Sequence, residues 1–272
     1  MPRAAKTETR RMIRRLVPAG LLAMLLISSC TAGPAAVVLT PFPVEPVEYR
    51  NYDQVYHPIE GYQASKFPAG FALDFSAVEP QPDGSIIQRL TETRGSAIKW
   101  ESERRKGKTS GKYIVETTFS EIWPGVVYAP LWLFSEGGRD GGHEFDFEYM
   151  DGRLEYNLHN GEGGFRMRSV KKDLGGHRVR WTIERRPGRV IMSAVSLTDG
   201  WRDELVVRPR MVAEWAKQKG APPNLEFPPD SVEMFPLTEL WRCRTPSWCG
   251  TWRPLPPGGT VDMTVHGYRF TR

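Results

Sequence analysis

The chain has 272 residues, 37 of them basic and 32 acidic, for a net charge of +5. Residues 1–29 hold six basic side chains and one acidic, so the excess lies wholly in that segment and the remainder is formally neutral. That distribution argues against nucleic acid as a partner, while a hydrophobic share of 40% suits a domain with a sizeable core.

Residues 1–29 read as a targeting segment. Arg3, Lys6, Arg10, Arg11, Arg14 and Arg15 form a basic start, and Leu21 to Ile27 form a short apolar stretch. That stretch is too short to span a bilayer, which takes about 20 apolar residues. Ile27-Ser28-Ser29-Cys30 resembles a bacterial lipobox, which makes Cys30 the expected lipidation site. The alternative is an ordinary signal peptide with an unrelated cysteine. Thr9-Arg10-Arg11-Met12-Ile13 also resembles a twin-arginine export signal. Residues 30–48 are rich in Pro and Ala, with Pro34, Pro41, Pro43 and Pro46, and read as an extended tether. The expectation is an exported lipoprotein facing the periplasm or cell surface, held to the membrane by the acyl chains on Cys30.

Residues 49–272 read as one domain, all-β in class. Lys112–Phe119, Arg178–Glu184, Val190–Leu197 and Val261–Phe270 alternate apolar and polar side chains, the signature of half-buried strands. Glycine and Asp-Gly clusters at 137–142, 151–152, 161–164, 175–176, 187–188 and 199–200 separate such runs. Many short strands with turns between them indicate an antiparallel β-sandwich. A helix is expected over residues 210–219, followed by a Pro-rich surface excursion from Ala221 to Pro236 whose role the sequence leaves open. Cys243 and Cys249 flank a Pro-containing turn, and in an exported protein that spacing favours a disulfide. A zinc site needs two more ligands, and none lies at recognisable spacing.

Glu144-Phe145-Asp146-Phe147-Glu148 carries the most chemistry. On a strand, Glu144, Asp146 and Glu148 share one face while Phe145, Phe147 and Tyr149 share the other. The aromatic face covers a core. Burial of the acidic face would force the three pKa values apart, and one carboxyl kept protonated beside an ionised partner is what acid-assisted glycosidic cleavage requires. The competing reading is a strand with a solvated acidic face.

This run resembles the Glu-x-Asp-x-Glu active-site strand of glycoside hydrolase family 16, the laminarinases and lichenases. Gly111–Glu116, Ala129–Phe134 and Glu155–Gly161 resemble the strands around it. The resemblance implies a concanavalin A-like jelly roll with a concave glycan-binding sheet, and a retaining endo-hydrolase of β-linked polysaccharides. It implies Glu144 as nucleophile, Glu148 as acid/base and Asp146 as the carboxylate between them. It places Asn157 and Trp132 against the glycan, Trp132 being as well explained by the core. His159 reads equally as a sugar contact or an exposed polar residue. A Trp beside the cleft is implied near the cysteine pair, and Trp248 is the choice because a disulfide would fix its ring. His143 and Trp181 read as structural. No metal-ligand cluster and no organic cofactor are expected, and a structural calcium held by backbone carbonyls leaves no mark in a sequence. The expected partner is a polysaccharide, and the expected state a monomer. A glycan-binding lipoprotein without activity, or a transglycosylase of envelope glycans, are the alternatives.

Overall fold

The structure is a computed structural model that describes residues 56–58, 61, 66–100, 107–135, 142–161 and 163–272. Cys30, the segment before it and the tether lie outside these residues.

Fifteen strands among the described residues form two sheets. The first runs, in spatial order, through β1 (Tyr56–Pro58), β5 (Arg94–Trp100), β14 (Phe235–Arg242), β7 (Val126–Phe134), β8 (His143–Met150), β9 (Arg153–Asn160) and β10 (Gly163–Lys171), with β2 (Ala72–Leu73) parallel to β5. The second runs through β13 (Arg202–Val207), β12 (Arg189–Ser196), β11 (Arg178–Arg186), β6 (Gly111–Phe119), β15 (Val261–Thr271), β4 (Ile86–Leu90) and β3 (Val78–Pro80). The two sheets pack through aromatic side chains. Phe147 of β8 lies 5.3 Å from Trp181 of β11, and Tyr149 stacks at 5.3 Å on Phe119 of β6. The chain is a concanavalin A-like β-sandwich, and the alternating runs read from the sequence are β6, β11, β12 and β15.

The sheets differ in what they bury. Strands β4, β6, β12 and most of β15 bury every second residue, as expected of a sheet with one face in water. Strands β7, β8, β9 and β14 are buried on both faces over most of their length. At β14 the polar face is covered where Lys66 and Phe67 reach Trp241 from one loop and Trp248 reaches it from another.

A two-residue turn sets the register at the centre of the first sheet. Asp151 and Gly152 both take positive φ, 50° and 70°, and Met150 pairs with Arg153. This is the Asp-Gly geometry whose twist matches a hairpin. It fixes Glu144 opposite His159, Asp146 opposite Asn157 and Glu148 opposite Glu155.

Two expectations need correction. The helix, α1, spans Pro209–Trp215 and stops short of residue 219. Val212 is buried and Trp215 packs at 5.6 Å on Phe165, whereas Lys217, Gln218 and Lys219 have no apolar face to bury. The stretch after it is more than a surface excursion. Pro222, Leu225, Pro228 and Met234 are buried, Phe227 meets the core-facing Phe145, and Pro236 already belongs to β14. Arg185, itself buried, donates to the carbonyls of Val232 (2.8 Å) and Pro229 (3.4 Å) and pins the stretch. These contacts lie on the core side of the first sheet, so the stretch closes the sandwich edge.

Candidate active site

The acidic face of β8 is assembled by cross-strand pairing, since residues opposite one another in an antiparallel ladder point the same way. Asn157 is the central donor. Its Nδ2 donates to Asp146 Oδ1 at 2.8 Å and to Glu148 Oε2 at 2.7 Å, so a single amide holds two carboxylates of the strand together. His159 Nε2 lies 3.1 Å from Asp146 Oδ2. Glu144 is the third carboxyl of the face, close enough to Asp146 for each to shift the other's titration. Through the Asn157 amide, Asp146 and Glu148 are held to one point.

The four groups divide charge unequally. Burial would raise the Asp146 carboxyl, but the hydrogen bond and charge of His159, with bonds from Glu144 and Asn157, hold it below the usual range. Burial and the Asp146 charge push Glu144 up to about 8. The same two causes raise Glu148 well above the ordinary carboxylate range. Burial opposes charge on His159, yet Asp146, and behind it Glu144 and Glu148, lift it to about 10. The resting face is therefore an Asp146 carboxylate paired with an imidazolium, flanked by two glutamates that hold protons near neutrality. Glu144, Asp146 and His159 offer ligand atoms within 4.8 Å of one another, a set able to hold a divalent cation. The His159 ring already lies 3.1 Å from Asp146 Oδ2 in that set.

Trp132 pairs with Asp146 and so lies on the acidic face, half-buried, 5.9 Å from the Phe134 ring. Its Nε1 has no hydrogen-bond partner among the described residues. Cys243 and Cys249 are joined by a disulfide, Cα–Cα 6.4 Å, across the one-turn helix α2 (Pro246–Cys249). The Trp248 ring within that loop packs at 5.9 Å on Trp241 and donates from Nε1 to Glu155 Oε2 at 3.0 Å. His143 is on the other side of β8, 2.6 Å from the Asn160 amide, and Trp181 is in the core.

Periodicity and motif alone do not mark Glu155, Glu239 and Lys66 as parts of this face. Glu155, directly opposite Glu148, is buried and held by Arg166 Nη1 at 2.9 Å as well as by Trp248, which makes two facing glutamates tolerable. Glu239 on β14 is a further buried carboxylate, 3.4 Å from Lys66 Nζ, and burial raises its pKa. The alternation Leu237-Thr238-Glu239-Leu240-Trp241 could have placed Glu239 on the face of Trp241. Lys66 comes from a loop, where no periodicity points to it.

No protein-family model matches the chain, and no curated protein matches it. Solved structures do. A Bacillus licheniformis β-glucanase aligns over 84% of this chain and 96% of its own, with a TM-score of 0.60 at 14% identity. A β-1,3-1,4-glucanase (lichenase) from a mouse hindgut metagenome aligns over 80% and 93%, TM-score 0.55, at 12% identity. A structure described as a pseudo β-1,3-glucanase of Mycobacterium tuberculosis aligns over 80% and 91%, TM-score 0.58, at 16% identity. At these identities the likeness shows the fold alone, and the chain therefore has the concanavalin A-like fold of the family 16 glucanases.

Proposed function

We propose that the protein is a retaining, endo-acting glycoside hydrolase that cleaves a β-linked polysaccharide through a covalent glycosyl-enzyme intermediate. The observation that carries this reading is the division of protons along β8, with Asp146 held ionised between two glutamates that burial keeps protonated. Glu148, held by Asn157, is the acid. As the glycosidic C–O bond breaks, its proton passes to the leaving oxygen. Glu144, once ionised, forms the new bond to the anomeric carbon. Glu148, now a carboxylate, then takes a proton from water while that water attacks the anomeric carbon and releases Glu144. Asp146 and His159 position Glu144 and offset the charge changes beside it. Trp132 and Trp248 supply stacking surfaces, and Asn157 and His159 polar contacts, to the sugars. The reading extends to location: an exported lipoprotein, anchored through lipid on Cys30 and monomeric.

The test is the anomeric course. Proton NMR of early products should show the β-anomer first, because two displacements restore the starting configuration. Initial α-anomer would overturn the retaining mechanism, and no cleavage across a polysaccharide panel would overturn the hydrolase reading. A non-catalytic glycan-binding protein is the second reading, favoured by the likeness to the pseudo β-1,3-glucanase. It predicts glycan binding by the wild type with no products.

A further inference from the structure

Glu144 sits near the start of its strand. Strand β8 begins at His143, so Glu144 is its second residue, whereas Asp146 and Glu148 lie further in. A nucleophile in that place must be held still, because a misplacement of ~1 Å can cost about a hundredfold in rate. Residues at the ends of β7 and β9 fix the backbone there. Ser135 donates from its N–H to the His143 carbonyl at 2.9 Å, and its Oγ accepts from the His143 N–H at 2.7 Å. Gly161 donates to the Gly142 carbonyl at 3.0 Å. A side chain at Gly142 would run into the Ser135 carbonyl, so only glycine lets the two chains meet so closely.

The side chains on either side of Glu144 are held by the stretch after α1. Asn160, opposite His143 on β9, joins that stretch to the strand. It is 3% exposed. Its Oδ1 accepts from the Glu226 N–H at 3.2 Å, and its backbone carbonyl accepts from the Asn224 amide at 3.5 Å. Its Nδ2 lies 2.6 Å from His143 Nδ1. An amide nitrogen only donates, so Nδ1 is the accepting nitrogen and the ring proton is on Nε2. That nitrogen faces Glu226 Oε1 at 3.7 Å. A ring of contacts thus runs from the Glu226 backbone through Asn160 and His143 to the Glu226 carboxyl. On the other neighbour of Glu144, the Phe227 ring lies 6.1 Å from that of Phe145. Closing the sandwich edge needs none of this polarity, since buried Leu225 and Met234 supply apolar contact there. A buried amide bonded at both ends specifies one geometry instead.

We propose that residues 224–227 are a positioning element for the nucleophile, and that Asn160 is the positioning residue that ties them to the strand behind Glu144. This rests on the glycoside hydrolase reading above for the role of Glu144. The full-length wild type is run on lichenan, laminarin and the rest of the polysaccharide panel, with Asn160→Leu, Asn160→Asp and Phe227→Ala beside it. Kinetics are read at a temperature where circular dichroism shows the proteins folded. Asn160→Leu, close in size but without hydrogen bonds, should lower kcat about tenfold to a hundredfold with KM little changed. The loss should be as large on an aryl glycoside with a good leaving group, because nucleophilic attack is needed there too. Asn160→Asp should keep most of the activity. Its carboxyl accepts from the Glu226 N–H and shares a proton with Nδ1, whichever of the two carries it. Phe227→Ala should lower kcat about tenfold, and it tests the same element should Asn160→Leu fail to fold. A lower melting temperature with kcat within about twofold of wild type would mark a merely structural contact and overturn the proposal. Equal losses in Asn160→Leu and Asn160→Asp would overturn it too. In both of these outcomes the wild type still cleaves, so the hydrolase reading stands. A wild type inert on the whole panel overturns that reading, and the positioning role with it.

Discussion

Glu148 and Glu144 must be in opposite protonation states during the first chemical step, yet the buried face raises both. The sign of the pH dependence follows. Glu144 gains its nucleophilic form as pH rises through about 8, and burial with the Asp146 charge lets Glu148 keep its proton well above the ordinary carboxylate range. The kcat/KM profile should therefore still be climbing as pH passes through neutrality; an optimum near pH 5 would contradict this division. Glu148→Gln should lose ~10²–10⁴-fold on polysaccharide, the usual worth of a general acid. It should lose much less on an aryl glycoside with a good leaving group, and the alkaline limb of that profile should vanish. Stability moves the other way. A carboxyl whose folded pKa is raised costs stability once pH exceeds its unfolded pKa, so Glu148→Gln should be the more stable protein at pH 8. The gain should be on the order of 1–3 kcal/mol, the desolvation penalty of a buried polar group, read from urea midpoints. The three acidic residues were legible in the sequence because alternation puts them on one face. Their charge states were not, because these depend on His159 and Asn157 arriving from another strand.

Among the elements, the β8–β9 hairpin does the most for the site. A one-residue slip would turn every paired side chain to the opposite face, separating Asn157 from both carboxylates. Gly152 has open space around a would-be Cβ, so its φ of +70° is the whole constraint. Gly152→Ala should cost ~1–2 kcal/mol through backbone strain, and thermal melts read it directly. Asp151-Gly152 could be read as a turn from sequence, and so could the register it imposes. The disulfide loop is the second element that matters. Replacing Cys243 and Cys249 together with Ser should lower stability by ~2 kcal/mol, as expected for a short closed loop. It should also shift tryptophan emission as the Trp248 ring loses its place between Trp241 and Glu155. Helix α1 is shorter than its sequence suggests because residues 217–219 have good helix propensity and nothing to pack against.

For the whole molecule, the sandwich was legible because its second sheet alternates so regularly. The covering of the first sheet was less so, since it depends on Lys66, Phe67 and Trp248 converging from loops far apart in sequence. If Cys30 carries the lipid, Cys30→Ser should move the protein from the membrane to the soluble fraction with its precursor uncut; unchanged fractionation would refute the anchor. The position of β8 has a consequence for motion. It is an interior strand, buried on both faces, with two strands between it and one edge of the hydrogen-bonded order and four between it and the other. Amides of Phe145 to Glu148 should therefore exchange with deuterium only through global opening, while the loops over the face exchange through local fluctuation. Heating should then abolish chemistry at the same midpoint as the fold itself. Adaptation to cold could raise turnover by loosening the loops that admit and release glycan, while the strand carrying the carboxylates stays among the slowest parts of the protein to open.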